Sequence, residues 1–433
     1  MRRPPLLFLA PCAPAASGNG LAMRGWSFLE AYARSHDIHL IVLPVAGRAE
    51  IGIEVERICT RIDMLPLAGF FDPVMAVLAR VLPPSELPRA LAARRLPRIC
   101  RYRPQAVWRV VEAALKDSQA EILHVQRLYM APAVLPLLQR ERADRPFVIL
   151  DLDDDDARSF ERIASLLDLR GEAEPARDHH LDSRRFAALA RDAAAAADRA
   201  LLCSEFDRAR LSIDFPEARF AVVPNAPPEV TPGTAVVPGN ATMKDIDLLF
   251  VATFNYFPNA DGAEWLALEV MPLLPAGLRV CLVGNCPDRL RDLLAGMPGI
   301  VVAGRVPDLA PYYARARAAV VPLRAGGGTR IKILEAVAYG VPVVSTTIGA
   351  EGLDFADGRH LLLADTPEAF AEACMRTLDD GQAASRRAQA ASLVLGMGGG
   401  REGVLERISD LVADARITDL AADGRLAPLP HSG

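Results

Sequence analysis

The sequence predicts an α/β fold of two doubly wound, Rossmann-like parallel-sheet domains that face each other across a cleft. A chain of 433 residues is too long for one usual hydrophobic core. In both halves short apolar runs alternate with longer helical patterns, which is typical of a parallel sheet covered by helices on both faces. A Pro/Gly-rich stretch between the halves has the composition of an interdomain linker. We therefore predict an N-terminal domain at 1–228, a linker at 229–244, a C-terminal domain at 245–395, and a C-terminal helix with a mobile tail at 396–433.

Apolar runs in the N-terminal half predict its strands. They lie at 5–10, 38–43, 58–65, 121–125, 146–152, 199–204 and 219–223. The first run is followed by the turn Ser17-Gly18-Asn19-Gly20 and by a helical pattern at 21–34. Because glycine lets a backbone approach a ligand closely, Gly18 and Gly20 are candidate ligand-binding residues at this strand-to-helix junction.

The C-terminal half shows the same alternation more clearly. Its apolar runs predict strands at 247–253, 278–284, 299–303, 318–322 and 341–345. Helical patterns separate them at 261–273, 288–295, 308–315 and 330–339. A ligand of such a sheet is expected at the carboxyl ends of the strands.

The most informative segment follows the predicted strand at 318–322. A glycine run, Gly326-Gly327-Gly328, leads through Thr329, a candidate N-cap, into a helix that carries Arg330, Lys332 and Glu335. Free N–H groups at such a junction favour phosphate oxygens. Lys332 and Glu335 are three residues apart and share one helix face, so a cation and a carboxylate are placed to grip a pyrophosphate and ribose hydroxyls. The alternative from the residues alone is an ordinary crossover helix with a solvated charged face. Gly340 and Pro342 are expected to end this helix.

Composition excludes several classes of protein. The formal net charge of −5 argues against bulk nucleic-acid binding. The seven cysteines are scattered, without a Cys-x-x-Cys pair, which predicts reduced thiols in a cytoplasm and no structural zinc site. The apolar run at 6–10 is shorter than a signal-peptide core of roughly 7–15 residues, and no run approaches the roughly 18 apolar residues of a membrane span.

Several motifs in order give the chain a recognisable pattern. It resembles the bacterial retaining glycosyltransferases of family 4, which have the GT-B fold, and within them the exopolysaccharide-associated sugar transferases. The resemblance covers most of the chain and is most specific in the block at 326–346. The other matching segments are Pro11 to Gly20, His124 to Pro132, Asp151 to Asp154, Cys203 to Phe206, Val223 to Asn225, Phe250 to Asp261, and Gly349 to Leu353.

The resemblance implies transfer of a sugar, with retention, from a nucleotide-sugar donor to a glycan or lipid-linked acceptor in bacterial surface polysaccharide synthesis. It implies that Glu335 binds the donor ribose, that Arg330 and Lys332 lie near the diphosphate, and that Gly327, Gly328 and Thr329 supply backbone donors there. Asn255, with its neighbours Phe254, Tyr256 and Asn259, would either touch the donor or cap the next helix. No metal or other cofactor is expected, because cations and N–H groups of the protein would neutralise the leaving group.

Two positions depart from the pattern of many family members. A second glutamate, eight positions before the ribose-binding one, is replaced by Gly327. The second histidine of a His-x-His pair is replaced by Gln126, which cannot take a proton near neutral pH.

Two sites in the N-terminal half are candidates for catalysis. Asp153 and Asp154, in the acidic run at 151–156, would accept the acceptor's proton or balance positive charge on the sugar. The alternatives are a helix-capping cluster and a divalent-ion site. His124 is a catalytic candidate, with a core histidine as its alternative.

Between Arg89 and Arg109 lie seven arginines and no acidic residue. This segment predicts contact with an anionic membrane surface at the inner face of the cell membrane, and its alternatives are a solvated basic face or a pocket for an acceptor phosphate. Two other functions remain open for the chain. One is a nucleotide-sugar 2-epimerase-like isomerase, and the other is a degenerate, non-catalytic glycosyltransferase-like partner.

Overall fold

The computed structural model describes residues 3–74, 95–229, 244–328, 330–398 and 400–422, the last nine of these by their backbone only. The chain forms two compact units. The first comprises Met1–Ala157, Leu181–Ala226 and Glu402–Gly433, and the second comprises Arg158–His180 and Pro227–Arg401. The units therefore differ from the predicted linear ranges in two segments. Residues 158–180 belong with the C-terminal unit, and the last helix belongs with the N-terminal one.

The first unit contains a seven-stranded parallel sheet in the order β3-β2-β1-β4-β5-β6-β7. Its strands are β1 (Pro5–Ala10), β2 (Asp37–Val42), β3 (Cys59–Met64), β4 (Ile122–Gln126), β5 (Phe147–Asp153), β6 (Arg199–Leu202) and β7 (Phe220–Val222). The helices along this part of the chain are α1 (Gly20–Tyr32), α2 (Ile53–Ile58), α3 (Leu67–Phe70), α4 (Pro104–Ser118), α5 (Leu135–Leu138), α6 (Asp156–Leu169), α7 (Ala173–Ala196) and α8 (Glu205–Asp214). Short 3₁₀ turns lie at Leu128–Ala133 and Arg142–Asp144.

The second unit contains a six-stranded parallel sheet in the order β10-β9-β8-β11-β12-β13. Its strands are β8 (Ile246–Val251), β9 (Val280–Val283), β10 (Ile300–Gly304), β11 (Ala316–Val321), β12 (Val343–Ser345) and β13 (Leu362–Leu363). The helices along this part of the chain are α9 (Phe257–Trp265), α10 (Asp288–Leu294), α11 (Ala310–Arg315), α12 (Ile331–Ala338), α13 (Thr347–Ala350), α14 (Pro367–Asp379), α15 (Gly381–Met397) and α16 (Gly400–Ala422). A π-helical turn at Leu266–Val270 and a 3₁₀ turn at Met271–Leu273 extend α9.

The two parallel sheets confirm the predicted fold class. Each predicted strand is present, and its ends lie within two residues of the prediction. Apolar periodicity identifies them because the central strands are buried on both faces; β1, for example, is buried along most of its length. The prediction missed β13, because two residues are too short to give an apolar pattern.

The last helix explains why the C-terminal segment belongs to the first unit. Val404, Leu405 and Ile408 of α16 are buried in the same apolar core as Leu6 and Phe8 of β1. Burial of these side chains fixes α16 onto the N-terminal sheet. Helix α15 ends at Met397 and α16 begins at Gly400.

Each sheet has one point at which the strand order reverses. In the first sheet it lies between β1 and β4, and in the second it lies between β8 and β11. Loops that leave neighbouring strands in opposite directions open a crevice at such a switch point, where ligands of doubly wound sheets bind. The predicted glycine turns follow β1 and β11, so each lies at the switch point of its own sheet. Within the described part of the chain, no helix is long and apolar enough to cross a membrane.

Candidate active site

The glycine loop after β11 is built for a conformation that other residues rarely adopt. Gly326 has a φ of 106° and Gly328 a φ of 71°, both in the left-handed region. Helix α12 begins at Ile331, and its N-cap residue is Arg330. The prediction of Thr329 as N-cap is therefore wrong in register, and Thr329 itself lies outside the described residues. The loop leads directly from the sheet switch point into the N-terminus of α12.

The end of α12 is fixed as the sequence predicted. Gly340 has a φ of 72°, and its N–H donates to the carbonyl of Val337 at 2.9 Å. The N–H of Val341 donates to the carbonyl of Ala336 at 2.9 Å. This pair of hydrogen bonds is a Schellman motif, which ends the helix at a defined residue. Both ends of α12, and so the side chains it carries, are held by backbone geometry.

Lys332 lies on the first turn of α12 and is partly buried. Its Nζ donates to Oδ1 of Asn259 at 2.6 Å and lies 5.6 Å from the ring centroid of Phe250. Burial, with a smaller contribution from the neighbouring Arg330, lowers the pKa of Lys332 to about 7. The ammonium group is thus held in the protein without a carboxylate as its hydrogen-bond partner, which suits it to an incoming anion.

Asn259 connects Lys332 to the other side of the switch point. Its amide Nδ2 donates to the carbonyl of Thr253 at 2.8 Å, in the segment that follows β8. Phe254 and Asn255, which lie between Thr253 and Asn259, differ from each other in their surroundings. Phe254 is buried and stacks edge-on against Phe250 at 5.2 Å, so it belongs to the core, whereas Asn255 is exposed in the turn after β8. The sequence did not distinguish Asn259 from these neighbours, because its hydrogen bonds depend on distant residues.

Glu335 lies one turn after Lys332 and is also partly buried. Its Oε2 accepts a hydrogen bond from the hydroxyl of Tyr313 at 3.0 Å. Burial raises the pKa of Glu335 to about 7, and the Tyr313 hydrogen bond opposes that rise. Tyr313 is itself buried and stacks on Tyr339 with ring centroids 4.6 Å apart. Sequence reasoning missed Tyr313, since nothing in the Tyr-Tyr pair of α11 indicates a hydrogen bond to a residue 22 positions later.

Arg330 turns back onto the glycine loop. Its guanidinium donates to the carbonyl oxygen of Gly327. The same group lies 3.2 to 3.6 Å from where a Cβ would be at Gly326, so a side chain there would press on Arg330. The structure thus brings Gly326, Gly327, Gly328, Arg330 and Lys332 together at the start of α12, with Glu335 one turn further along.

The glycine turn of the first unit has a local structural reason. Gly18 has a φ of 114°, and the side chain of Asn19 caps α1 by accepting from the N–H of Ala22 at 2.8 Å. Gly20 is the first residue of α1. The turn lies at a strand-to-helix junction as predicted, and a role of Gly18 and Gly20 toward a donor stays a prediction.

His124 lies inside the core of the first unit. Its side chain is fully buried, stacks on Phe8 at 4.4 Å, and its Nδ1 is 2.9 Å from the hydroxyl of Tyr32. Burial holds its pKa well below the usual value. This environment favours the core-histidine alternative over a catalytic role. Gln126, two residues later, is also buried and donates from Nε2 to the carbonyl of Leu21 at 2.9 Å.

The acidic run after β5 is engaged by arginines. Arg127 reaches Asp153 at 3.1 Å, Asp154 at 2.6 Å and Asp156 at 2.5 Å. Arg127 and Asp153 both have positive φ, at 75° and 67°, so the backbone is strained where this network forms. Asp151 is fully buried and pairs with Arg24 through two hydrogen bonds of 2.8 and 2.7 Å. Arg127 lies in the matching segment from His124 to Pro132, but its sequence neighbours indicate no role for it.

These contacts bear on the alternatives for Asp153 and Asp154. Their carboxylates face a guanidinium, and among the described residues no group of three or more His, Cys, Asp or Glu side chains is arranged to hold a metal ion. Helix α6 begins at Asp156, so the run also precedes a helix N-terminus. The arrangement favours a structural network at the helix start, and a catalytic role of Asp153 or Asp154 stays a prediction.

The arginine-rich segment is only partly described. Arg89 and Arg94 lie outside the described residues. Arg98 pairs with Asp182 at 2.6 Å, and Arg101 and Arg103 donate to backbone carbonyls of Val45 and Gly69. These three side chains therefore stabilise the first unit, and contact with a membrane stays a prediction.

The arrangement on α12 defines what the second unit can bind. A cation and a carboxylate lie one helical turn apart, about 4.5 Å along the helix axis, beside a loop of glycine N–H groups. Oxygen atoms of a phosphate suit the loop and the cation, and a pair of vicinal hydroxyls suits the carboxylate.

Comparison with known proteins agrees with this geometry. Residues 245–380, within the second unit, match the protein family described as Glycosyl transferases group 1. No curated protein matches the chain in sequence.

The chain is similar to solved structures over nearly its whole length. Sucrose-phosphate synthase from Thermosynechococcus elongatus is similar with a TM-score of 0.68 at 16% identity, over 96% of this chain and 100% of that chain. HepE from Anabaena, in complex with UDP and glucose, has a TM-score of 0.61 at 13% identity, over 94% and 99% of the two chains. WaaG, a glycosyltransferase involved in lipopolysaccharide biosynthesis, has a TM-score of 0.59 at 14% identity, over 94% and 99%. These likenesses confirm the predicted GT-B fold, and with the family match they support a GT-B glycosyltransferase.

Proposed function

We propose that this protein transfers a sugar, with retention of anomeric configuration and without a metal ion, from a nucleotide-sugar donor to a glycan or lipid-linked acceptor. The observation that carries the proposal is the position of Lys332 and Glu335, one turn apart on α12, beside the glycine loop at the switch point of the second sheet. The family match to residues 245–380 supports glycosyl transfer by this same unit.

Lys332 and the loop would hold the donor diphosphate. A bound diphosphate raises the pKa of a nearby ammonium, so Lys332, with a pKa of about 7 in the free protein, becomes fully protonated when the donor binds. The nucleoside diphosphate gains negative charge as the glycosidic bond breaks. Lys332 and the backbone N–H groups of Gly327 and Gly328 are fixed before the reaction and stabilise that charge in the transition state.

Glu335 would hold the donor ribose. An ionised carboxylate accepts from both vicinal hydroxyls of a ribose, whereas the protonated acid loses acceptor capacity. Because the pKa of Glu335 is about 7, donor binding favours its ionised form, and the hydroxyl of Tyr313 supports that form. Lys332 and Glu335 would thus bind the diphosphate and the ribose, which every ribonucleoside diphosphate contains.

Uridine is the base we propose to test first, because the similar protein HepE was crystallised with UDP and glucose. We propose surface polysaccharide or glycolipid assembly as the setting, at the inner face of the cell membrane. The resemblance in sequence supports that role, and WaaG, involved in lipopolysaccharide biosynthesis, shares the fold. Retention is proposed from the same resemblance.

The test is a thermal-shift and calorimetric titration with UDP, GDP and ADP, with and without a chelator. A ligand at 100 times its Kd adds about 2.7 kcal/mol to the free energy of unfolding. We expect one of the three to stabilise the protein equally with and without chelator, and Lys332→Met and Glu335→Gln to abolish the shift. Glu368→Gln, which changes an exposed carboxylate at the start of α14, is the control.

Two results would contradict the proposal. Stabilisation that requires added metal would exclude metal independence, and no response to any of the three would favour the degenerate partner. With a responding nucleotide, its glucose conjugate is then incubated with and without a glycan acceptor. Transfer to the acceptor, with the anomeric configuration read by NMR, supports the transferase, and conversion without an acceptor would support the isomerase.

A further inference from the structure

A helical hairpin from the N-terminal half of the sequence belongs to the second unit. It comprises residues 158–180, which are most of α6 and the start of α7. Its apolar side chains form a small core with Ala325, the residue before the glycine loop, and with Phe257 of α9. The buried hairpin residues of this core are Ile163, Leu166, Leu167 and Ala176. The hairpin therefore packs directly on the chain that leads into the loop.

Arg162 of this hairpin bonds the loop itself. Its Nη1 donates to the carbonyl oxygen of Gly326 at 2.9 Å and to Oε1 of Glu351 at 2.8 Å, and its Nη2 donates to Oε2 of Glu351 at 2.7 Å. Glu351 also pairs with Arg158 at 3.2 Å. Arg162 and Glu351 are each 17% exposed, so this is a largely buried, two-point pair that fixes the position of the guanidinium.

Two consecutive loop carbonyls are thus held by arginines. Arg162 holds that of Gly326, and Arg330 holds that of Gly327. In a trans peptide the C=O and the next N–H point in opposite directions, and the described residues include no cis peptide bond. Holding the two carbonyls therefore directs the N–H groups of Gly327 and Gly328 away from the arginines. Successive N–H groups turned to one side form a concave anion-binding site.

We propose that Arg162 is a positioning residue that presets this loop for the β-phosphate of a nucleoside diphosphate, with Glu351 holding Arg162 in place. The inference rests on the proposed function. Along α12 the ribose belongs to Glu335, and Lys332 lies one turn nearer to the loop. A phosphate chain that runs from the ribose toward the helix N-terminus reaches the loop with its β-phosphate rather than with its α-phosphate.

This assignment predicts a selective loss. Without Arg162 the peptide between Gly326 and Gly327 is free to rotate, and the N–H of Gly327 is no longer preset. A hydrogen bond to a charged group contributes about 1.5–3 kcal/mol, so we expect Arg162→Gln to weaken UDP binding by about tenfold or more. Binding of UMP, which lacks the β-phosphate, should change by less than about twofold.

Arg170→Gln is the matched control. Arg170 also lies in the hairpin, is 23% exposed, and binds the carboxylates of Asp261 and Glu264. Asp261 keeps its two-point pair with Arg324 when Arg170 is replaced, as Glu351 keeps Arg158 when Arg162 is replaced. Each variant leaves one carboxylate, Glu351 or Asp261, with its other arginine, and Arg170→Gln also removes the ion pair of Glu264, so the control should lose at least as much stability. Of these two arginines, only Arg162 contacts the glycine loop in the described contacts.

The experiment measures Kd for UDP and UMP by calorimetry on the full-length wild type, Arg162→Gln and Arg170→Gln, with melting temperatures of all three. If wild type prefers GDP or ADP, that diphosphate and its monophosphate replace the uridine pair. A selective loss of diphosphate affinity in Arg162→Gln alone supports the inference. Equal losses for diphosphate and monophosphate, or equal losses in both variants, would overturn it and leave the hairpin a general support.

Failure of the proposed function is a separate result, since wild type would then bind none of the three diphosphates. If Arg162→Gln does not fold, Glu351→Gln replaces it. That change keeps the guanidinium but weakens its anchor, and we expect a smaller loss of UDP affinity, again with UMP unchanged. An unchanged UDP affinity in Glu351→Gln would count against the inference.

Discussion

The hydroxyl of Tyr313 supplies the sharpest test of how Glu335 acts. Tyr313→Phe removes that hydroxyl, which lies 3.0 Å from Oε2 of Glu335, and keeps the buried ring and its stacking on Tyr339. A hydrogen bond to a charged group is worth about 1.5–3 kcal/mol, and 1.36 kcal/mol corresponds to one pH unit in a pKa. The pKa of Glu335, about 7 in the intact protein, should therefore rise to roughly 8–9 in the variant.

The consequence for binding follows from the ionised fraction of Glu335. If the ribose is held by the carboxylate, affinity for UDP falls as the pH decreases through the pKa of Glu335. At pH 7 about half of the wild-type carboxyls are ionised, against roughly 1–10% in the variant, so the ratio of the two affinities should be roughly 5 to 50. Near pH 9.5 both are ionised, and the ratio should return to within about twofold.

The ratio isolates Glu335 from the other groups that titrate near it. Lys332 on the same helix, with a pKa of about 7, and the UDP phosphate contribute equally to wild type and variant, so they cancel in the ratio. Burial raises the pKa of Tyr339 above its usual value of about 10, so Tyr339 does not titrate over this range.

The assay is calorimetric titration of UDP, or of the nucleoside diphosphate that wild type prefers, from pH 6 to 9.5. Tyr312→Phe removes a hydroxyl from the adjacent position of α11 and is the control. A purely structural effect of Tyr313→Phe would lower affinity by the same factor at every pH. A ratio that does not change with pH would refute the role of Glu335 as an ionised ribose ligand.

Three further predictions concern stability. Lys332→Met should increase the free energy of unfolding at pH 7 by about 1 kcal/mol or more, and so raise the melting temperature, since it replaces a buried ammonium by an apolar chain of similar length. An unchanged or lowered melting temperature would contradict this reasoning. Gly284→Ala should lower the free energy of unfolding, measured in urea, by about 3 kcal/mol or more. Gly284 has a φ of 137°, and a Cβ there would lie 1.8 Å from the carbonyl oxygen of Ala252. The control Gly277→Ala, at a φ of 93° in open space, should lower it less. Arg127→Gln should lower the free energy of unfolding by about 3–5 kcal/mol at pH 8 and by less at pH 5.5. Burial raises the pKa of Asp156 to about 7, so this carboxyl is ionised only at the higher pH. An equal loss at both pH values would contradict the prediction.

The fold could be predicted from the sequence because its signals are local. Apolar runs such as Pro5–Ala10 and Leu248–Val251 are continuous, as strands buried on both faces require. The glycine run and the Gly340 stop are local in the same way, so the limits of α12 were found to within one residue. Residues 158–180 were predicted in the N-terminal domain but belong to the second unit, and the C-terminal helix, predicted as a separate segment, belongs to the first. Membership of a compact unit depends on tertiary packing rather than on order along the chain.

In the candidate site too, the sequence indicated the residues with local signals and not those with distant partners. Lys332 and Glu335 were found from their spacing on one helix. The sequence did not indicate the residues that hold these two side chains or the glycine loop, which are Tyr313, Asn259 and Arg162. Their hydrogen-bond partners lie between 22 and 164 positions away along the chain. His124 shows the opposite difficulty, because a polar residue in an apolar strand has the same local pattern whether it faces a ligand or the core.

Burial of the charged groups of Lys332 and Glu335 lowers the free energy of unfolding of the ligand-free protein. Burial lowers the pKa of the first and raises that of the second to about 7, so near neutral pH each group is held partly in its neutral form. For Glu335, whose folded pKa exceeds the unfolded value of 4.5, the free energy of unfolding falls as pH rises from about 4.5 to 7. For Lys332, whose folded pKa lies below the unfolded value of 10.5, it rises again from about pH 7 to 10.5. These two residues therefore weaken the free protein most near pH 7. A nucleoside diphosphate offers an anion to the ammonium and hydroxyls to the carboxylate, so its binding stabilises the charged form of both groups and recovers stability that burial removed.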